Sequence, residues 1–263
     1  CLVRTRIPSE YCDQPLSLLL YSNSEDSEEH LALVFGYDPA APDGIRSASL
    51  ERIIAGESER DRRTRGASVL PTSITSSSLT PEIATTTSTS LSPSNQISRD
   101  PPLARIHSCC FTGETIGSSR CDCREQLIEA MKLMSNEGRG VILYLKQEGR
   151  GIGLRDKMRA YNLIDQGFDT QTANLELGHP ADARSYKIAT AILRDLHIPS
   201  VRLLTNNPHK VESIVHDGVV VSARVPMVPA SWGGGSSDNL EVQDRDEYLV
   251  TKVQKMGHIL DIP

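Results

Sequence analysis

Aromatic residues make up only 4% of this 263-residue chain, and hydrophobic residues 38%, so a core is possible but not rich. Long apolar runs are also missing. Leu16 to Tyr21 is a strand-sized piece, far short of a membrane span, so no membrane association is expected. There is no secretory h-region, and the chain opens on Cys1 rather than methionine, which fits a fragment with no export signal. An excess of positive charge is lacking too. The formal net charge is −6, which argues against a general nucleic-acid binder, since that affinity comes from neutralising phosphates.

What is present is unevenly placed. Positive charge is locally dense at Arg139, Lys146, Arg150, Arg155, Lys157 and Arg159, a density better suited to a small anionic ligand than to a duplex. Four of the six cysteines fall between Leu103 and Gln126. In a chain of this length, clustered cysteines without a signal read as reduced thiols in an intracellular, cytoplasmic protein. Cys110, Cys121 and Cys123 form a C-x10-C-x-C array. Thiolates are soft ligands suited to zinc, and three protein ligands with a fourth position left for water is the usual catalytic arrangement.

Residues 2 to 36 read as paired strands, with Leu16 to Tyr21 and His30 to Gly36 as apolar runs around a polar, acidic link. From Tyr37 the pattern decays, and residues 71 to 100 are about half serine and threonine. Such a stretch buries too little apolar surface to offset its ordering entropy, so 37–101 is expected to be a mostly disordered insertion. Order returns with a strand at Leu103 to His107. A helix is predicted over Cys123 to Asn136, a buried strand over Val141 to Leu145, and helices at about 154–166 and 184–196. A strand at Val201 to Thr205 then leads to Asn206-Asn207-Pro208, a strong helix start, and Val219 to Val221 begins another strand. A second loose insertion is expected at about 229–244 and a closing helix at about 247–260. The expected fold is α/β: a mixed sheet flanked by helices in a single catalytic domain. Residues 1–36 supply its amino-terminal strands and 102–263 its core, with two loose insertions.

Several residues have both a chemical and a plain reading. Gly149-Arg150-Gly151-Ile152-Gly153 matches neither dinucleotide nor Walker A spacing. It is either a phosphate cradle of backbone amides beside Arg150 or an ordinary strand-to-helix turn. Lys210 is either aimed at an anion from the first turn of its helix or a solvated surface lysine. Asp182, two residues before Arg184, is either catalytic or a helix cap. His107 is either a metal ligand or a structural histidine closing a strand.

Taken in order, these pieces resemble GTP cyclohydrolase II. The likeness runs through Arg105-Ile106-His107-Ser108, Arg120-Cys121-Asp122-Cys123, Gln147-Glu148-Gly149-Arg150, Arg159-Ala160-Tyr161, Asp165 to Thr170 and Leu203 to Pro208, and resumes at Lys255-Met256-Gly257-His258. The two insertions and the Ala104 to Ser118 wording resemble fungal forms. The resemblance implies a homodimer that converts GTP to formate, pyrophosphate and 2,5-diamino-6-(5-phosphoribosylamino)pyrimidin-4(3H)-one, opening riboflavin biosynthesis. It places one Zn²⁺ per subunit on Cys110, Cys121 and Cys123, activating water for attack at C8 of guanine, and Mg²⁺ at the GTP phosphates. It assigns GTP binding to Arg105, Ile106, His107, Ser108, Cys109, Gln126, Glu148, Gly149, Arg150, Thr170, Thr205 and Lys210. Tyr161 becomes a donor near the reacting ring, Asp182 a proton acceptor and Arg184 a nucleophile on the α-phosphate. A guanidinium stays protonated, however, and suits stabilisation of phosphoryl charge better.

Two positions depart from the family pattern. Cys109 stands where glutamate is common. Arg124 stands where glycine is common, directly after the last ligand, and would be strained if a positive φ were needed there. These departures leave two rivals to an active enzyme. One is an impaired relative that binds zinc and nucleotide in a regulatory or scaffold role. The other is a structural zinc protein closed by a fourth ligand, Cys109 or His107.

Overall fold

The computed structural model describes residues 1–41, 43–68, 100–227 and 253. The serine/threonine-rich stretch from 69, the second insertion, the closing helix apart from residue 253, and Lys255 to His258 lie outside the described residues. Within them the chain forms strands β1 (Val3–Ile7), β2 (Leu16–Tyr21) and β3 (His30–Phe35), then helices α1 (Ala48–Glu51) and α2 (Glu59–Thr64). Strand β4 (Leu103–Ser108), helix α3 (Cys123–Glu137), β5 (Gly140–Leu145), α4 (Gly153–Ile164) and α5 (Thr170–Glu176) follow. The described order ends with α6 (Lys187–Asp195), β6 (Ser200–Leu204), α7 (Pro208–His216) and β7 (Val220–Val225).

All seven strands join one mixed sheet in the order β1-β2-β3-β5-β4-β6-β7. The amino-terminal strands pair antiparallel and meet β5 antiparallel, whereas β5, β4, β6 and β7 run parallel. The expected mixed α/β sheet with flanking helices is what the chain forms. Strand alternation assigns side chains to its two faces. Ala104, Ile106, Val141, Leu143 and Leu145 pack on one face with Ile188, Leu193 and Ile214 from α6 and α7. Leu103 and Ile142 pack on the other with Ala130, Met131 and Met134 from α3. Arg105 and His107, in register with Leu103 along β4, therefore belong to the α3 face. Ile106 turns away from it.

The carboxyl ends of β4, β5 and β6 lie side by side in the parallel half, where open α/β sheets bind ligands. Each is followed by a loop into a helix. Asn207 starts α7 as expected: its side-chain oxygen accepts from the His209 amide at 2.9 Å, and Pro208 takes the first turn. Helix α5 was not foreseen, although Asp169 caps it by accepting from Gln171 N at 2.9 Å and Thr172 N at 3.2 Å.

The start of the loose insertion at residue 37 needs correction. Residues 43–68 carry α1 and α2, and Ile45 and Leu50 are buried against the body of the fold. The anchor is Asp195 at the end of α6. Its carboxylate accepts from Ser47 Oγ, from the Ser49 amide at 2.7 Å and from Tyr21 Oη at 2.9 Å. Arg62 is buried too, donating to Ser68 O at 2.7 Å and Arg52 O at 3.2 Å. Two isolated apolar anchors in a polar sequence leave no periodic signal, which is why the segment reads as unstructured.

Burial works against the Asp195 carboxylate, but hydrogen bonds from Ser47, Ser49 and Tyr21 outweigh it and hold its pKa below the usual range. Asp195→Asn should cost about 2 kcal/mol in urea unfolding at neutral pH. Because the folded pKa is depressed, that advantage is full above the unfolded aspartate pKa of about 4 and disappears as pH falls through the folded value. Equal urea midpoints for both proteins at pH 7 would contradict it.

Candidate active site

The loop after β4 and the start of α3 bring three sulfurs together. Cys110, Cys121 and Cys123 place their Sγ atoms within 4.8 Å of one another, with Cys110 and Cys121 3.6 Å apart. A tetrahedron of roughly 2.3 Å zinc–sulfur bonds has edges of about 3.8 Å, so the trio fits zinc. The backbone makes room for it in a π-helical turn, Thr112–Ile116. A Cβ on Gly113 would lie 2.7 Å from Cys121 Sγ and 3.3 Å from Cys110 Sγ. Hydrogen bonds from the Cys121 and Cys123 thiols hold Cys110 far below the ordinary thiol range. The bond to Cys110 in turn pushes Cys121 up to about 11 and raises Cys123. Left to themselves the three sulfurs share protons, and a soft dication satisfies all three as thiolates.

The trio opens onto a cavity of about 590 Å³. Sixteen of the eighteen residues expected at the site line it; Ile106 and Asp182 do not. Ile106 faces the opposite side of the sheet and contributes its carbonyl, which accepts from Lys210 Nζ at 2.9 Å. Lys210 is itself buried, not the solvated lysine of the plain reading. Asp182 acts on Arg184: its carboxylate accepts from Arg184 Nε at 2.9 Å and from the Arg184 amide at 3.0 Å. It does not cap α6, whose N-cap position is Tyr186. Burial opposes ionisation of Asp182, yet Arg184 wins and holds its pKa below the ordinary value.

On the α3 wall, Arg105 donates to Leu204 O at 3.1 Å and to Gln126 Oε1, while Gln126 donates onward to Asp122. Burial pushes the Arg105 pKa down to about 10, which leaves it charged at neutral pH. His107 Nε2 lies 2.8 Å from Glu114 Oε1 and is therefore engaged away from the sulfur trio. Glu114 also accepts from the Cys110 amide at 2.9 Å and from Tyr144 Oη at 2.6 Å. Beside it, Ser108 Oγ accepts from Gln147 Nε2 at 3.1 Å.

The turn after β5 is the strained part of the wall. Gly149 and Arg150 both have left-handed backbones, at φ of 62° and 61°, and for arginine that conformation costs roughly 1 kcal/mol. The turn is tied to the Asp182–Arg184 segment. Ala183 N donates to Arg150 O at 3.0 Å, and a Cβ on Gly151 would come within 3.1 Å of the Ala183 carbonyl. Arg150 Nη1 is buried without a protein partner. Arg150, Arg184 and Lys210 thus give one cavity three cationic groups. Thr205 and Thr170 complete it from the end of β6 and the first turn of α5.

Tyr161, on α4, places its hydroxyl 3.3 Å from Thr112 Oγ1, with the Arg120 guanidinium 5.0 Å from its ring centroid. Burial raises its pKa, so it remains a protonated donor. Three site groups were not singled out from sequence. Arg120 appears only inside a motif, Glu114 looks like an ordinary loop carboxylate, and Lys157 looks like one cation in a basic stretch.

The two departures from the family pattern are benign in geometry. Arg124 is exposed in the first turn of α3 and has no positive φ. Cys109 is half-buried, its Sγ 4.0 Å from Glu148 Oε2, and burial pushes its pKa up to about 11. Among the described residues the metal-ligand group holds only the three cysteines, with neither Cys109 nor His107 closing it.

The family model for GTP cyclohydrolase II matches residues 79–226. A GTP cyclohydrolase-2 of Meyerozyma guilliermondii is 45% identical across the whole chain, which spans 80% of that protein. The Saccharomyces cerevisiae GTP cyclohydrolase-2 is 41% identical with the same coverage. A Neisseria meningitidis GTP cyclohydrolase-2 is 48% identical over 61% of this chain and 77% of its own.

Gly113→Ala tests whether the π-helical turn exists to seat the trio. Its zinc affinity should fall by about tenfold or more with the far-UV circular dichroism unchanged. Full zinc loading at wild-type affinity, measured by chelator competition, would contradict the packing argument.

Proposed function

The chain belongs to the GTP cyclohydrolase II family, and on that premise we propose that it hydrolyses GTP to formate, pyrophosphate and 2,5-diamino-6-(5-phosphoribosylamino)pyrimidin-4(3H)-one, the opening step of riboflavin biosynthesis. The observation that carries this reading is the sharing of one cavity by three convergent thiols and three cationic groups suited to phosphate. The reading takes the metal as zinc, one per subunit, with Mg²⁺ at the phosphates, in a cytoplasmic homodimer. No helix among the described residues is long and apolar enough to cross a membrane.

Cys110, Cys121 and Cys123 would hold the zinc, which when bound supplies activation of water for attack at the guanine C8. The remaining work falls to the chain's own side chains. Arg105 and Gln126, fixed against each other, form a rigid polar wall for the nucleotide. Arg150 and Lys210 take phosphate oxygens, Arg150 with a buried Nη1 still to be satisfied. Arg184 stays charged and is oriented by Asp182, so it stabilises phosphoryl charge as pyrophosphate leaves. Protonated Tyr161 donates a hydrogen bond to the opening ring.

Purified protein supplied with zinc and Mg²⁺ should release formate and pyrophosphate from GTP in equal amounts. Cys121→Ser should lower formate release by about 100-fold or more. A folded, zinc-replete protein that releases neither product would overturn the assignment.

A further inference from the structure

Lys157 lies on α4 with most of its side chain buried. Its Nζ is 2.7 Å from Glu148 Oε1, 2.8 Å from Thr112 Oγ1 and 3.3 Å from Cys110 Sγ. An ammonium has three N–H bonds, and these three partners account for all of them. Lys157 therefore has no donor left for a substrate, and whatever it does for the site it does through these neighbours.

The neighbours belong to three working parts. Cys110 is one of the sulfur trio. Glu148 opens the strained turn, and its second carboxylate oxygen accepts from the Phe111 amide at 2.7 Å, pinning the residue after Cys110. Thr112 meets the Tyr161 hydroxyl at 3.3 Å. Three thiolates around a dication carry one excess negative charge, in a cavity that must also accept a polyanion. A buried ammonium is costly unless it is paired, and here it is spent on a sulfur as well as on a carboxylate. A donor to a ligand atom orients that ligand and tunes the metal.

We propose that Lys157 is a positioning residue: its ammonium offsets the charge of the Cys110 thiolate, strengthens the trio's hold on zinc, and fixes Thr112 against Tyr161. The proposal rests on the zinc reading above and is separable from it by experiment. Zinc affinity would be measured by competition with a chromogenic chelator, beside circular dichroism, for wild type, Lys157→Met, Lys157→Arg and the double variant Lys157→Met/Glu148→Gln. Lys157→Met should fold and bind zinc about 10- to 100-fold more weakly. Lys157→Arg should recover most of the loss. The double variant, which leaves no unpaired buried carboxylate, should be as weak as Lys157→Met, and it carries the test if the single variant does not fold. Unchanged affinity in Lys157→Met would overturn the proposal. So would wild-type affinity in the double variant, because the stranded Glu148 carboxylate would then be the cause. Wild-type protein that binds no zinc would instead remove the reading on which the proposal stands.

Discussion

Three sulfurs within 4.8 Å of one another put more negative charge into a half-buried space than protein dielectric tolerates unaided. That constraint explains much of the surrounding structure. It explains a π-helical turn with a glycine where no side chain fits, and a lysine buried at 3.3 Å from one sulfur. Each feature either removes charge, shares it or leaves room for a cation.

The sheet supplies the place. Only its parallel half brings three strand ends to one edge, and each of β4, β5 and β6 delivers a different function there. The end of β4 gives the sulfur loop, that of β5 the left-handed turn with Arg150, and that of β6 the start of α7 with Lys210. Alternation along β4 decides the finer points. Arg105 and His107 face the cavity because they share a face with Leu103, while Ile106 is core and lends its carbonyl to Lys210. The antiparallel strands and the Asp195 anchor serve this edge from a distance, by closing the other end of the sheet.

How much of this could be read from the chain alone varied with how local the cause was. The cysteine spacing, the Asn207-Pro208 helix start and the strand-to-helix alternation are local signals, and each appears in the structure. So was the Asp169 cap of α5, which went unread. The order at residues 43–68 was not legible, because Ile45 and Leu50 are single apolar anchors and Asp195, which accepts from Ser47 and Ser49 beside them, lies about 150 residues away. Lys157 and Glu114 depend on partners from separate elements, and in sequence each resembles a solvated charge. Arg124 shows the opposite error: a family glycine suggested a special backbone, yet the residue sits in an ordinary helical turn with its side chain in solvent.

On the proposed reading the metal site is open, held by three protein sulfurs with a position left for chemistry. Zinc K-edge X-ray absorption on the zinc-loaded protein tests it most directly. Three sulfur scatterers at about 2.3 Å with one lighter oxygen or nitrogen scatterer are predicted. Four sulfurs would mean that Cys109 closes the shell, making the site structural and contradicting the account.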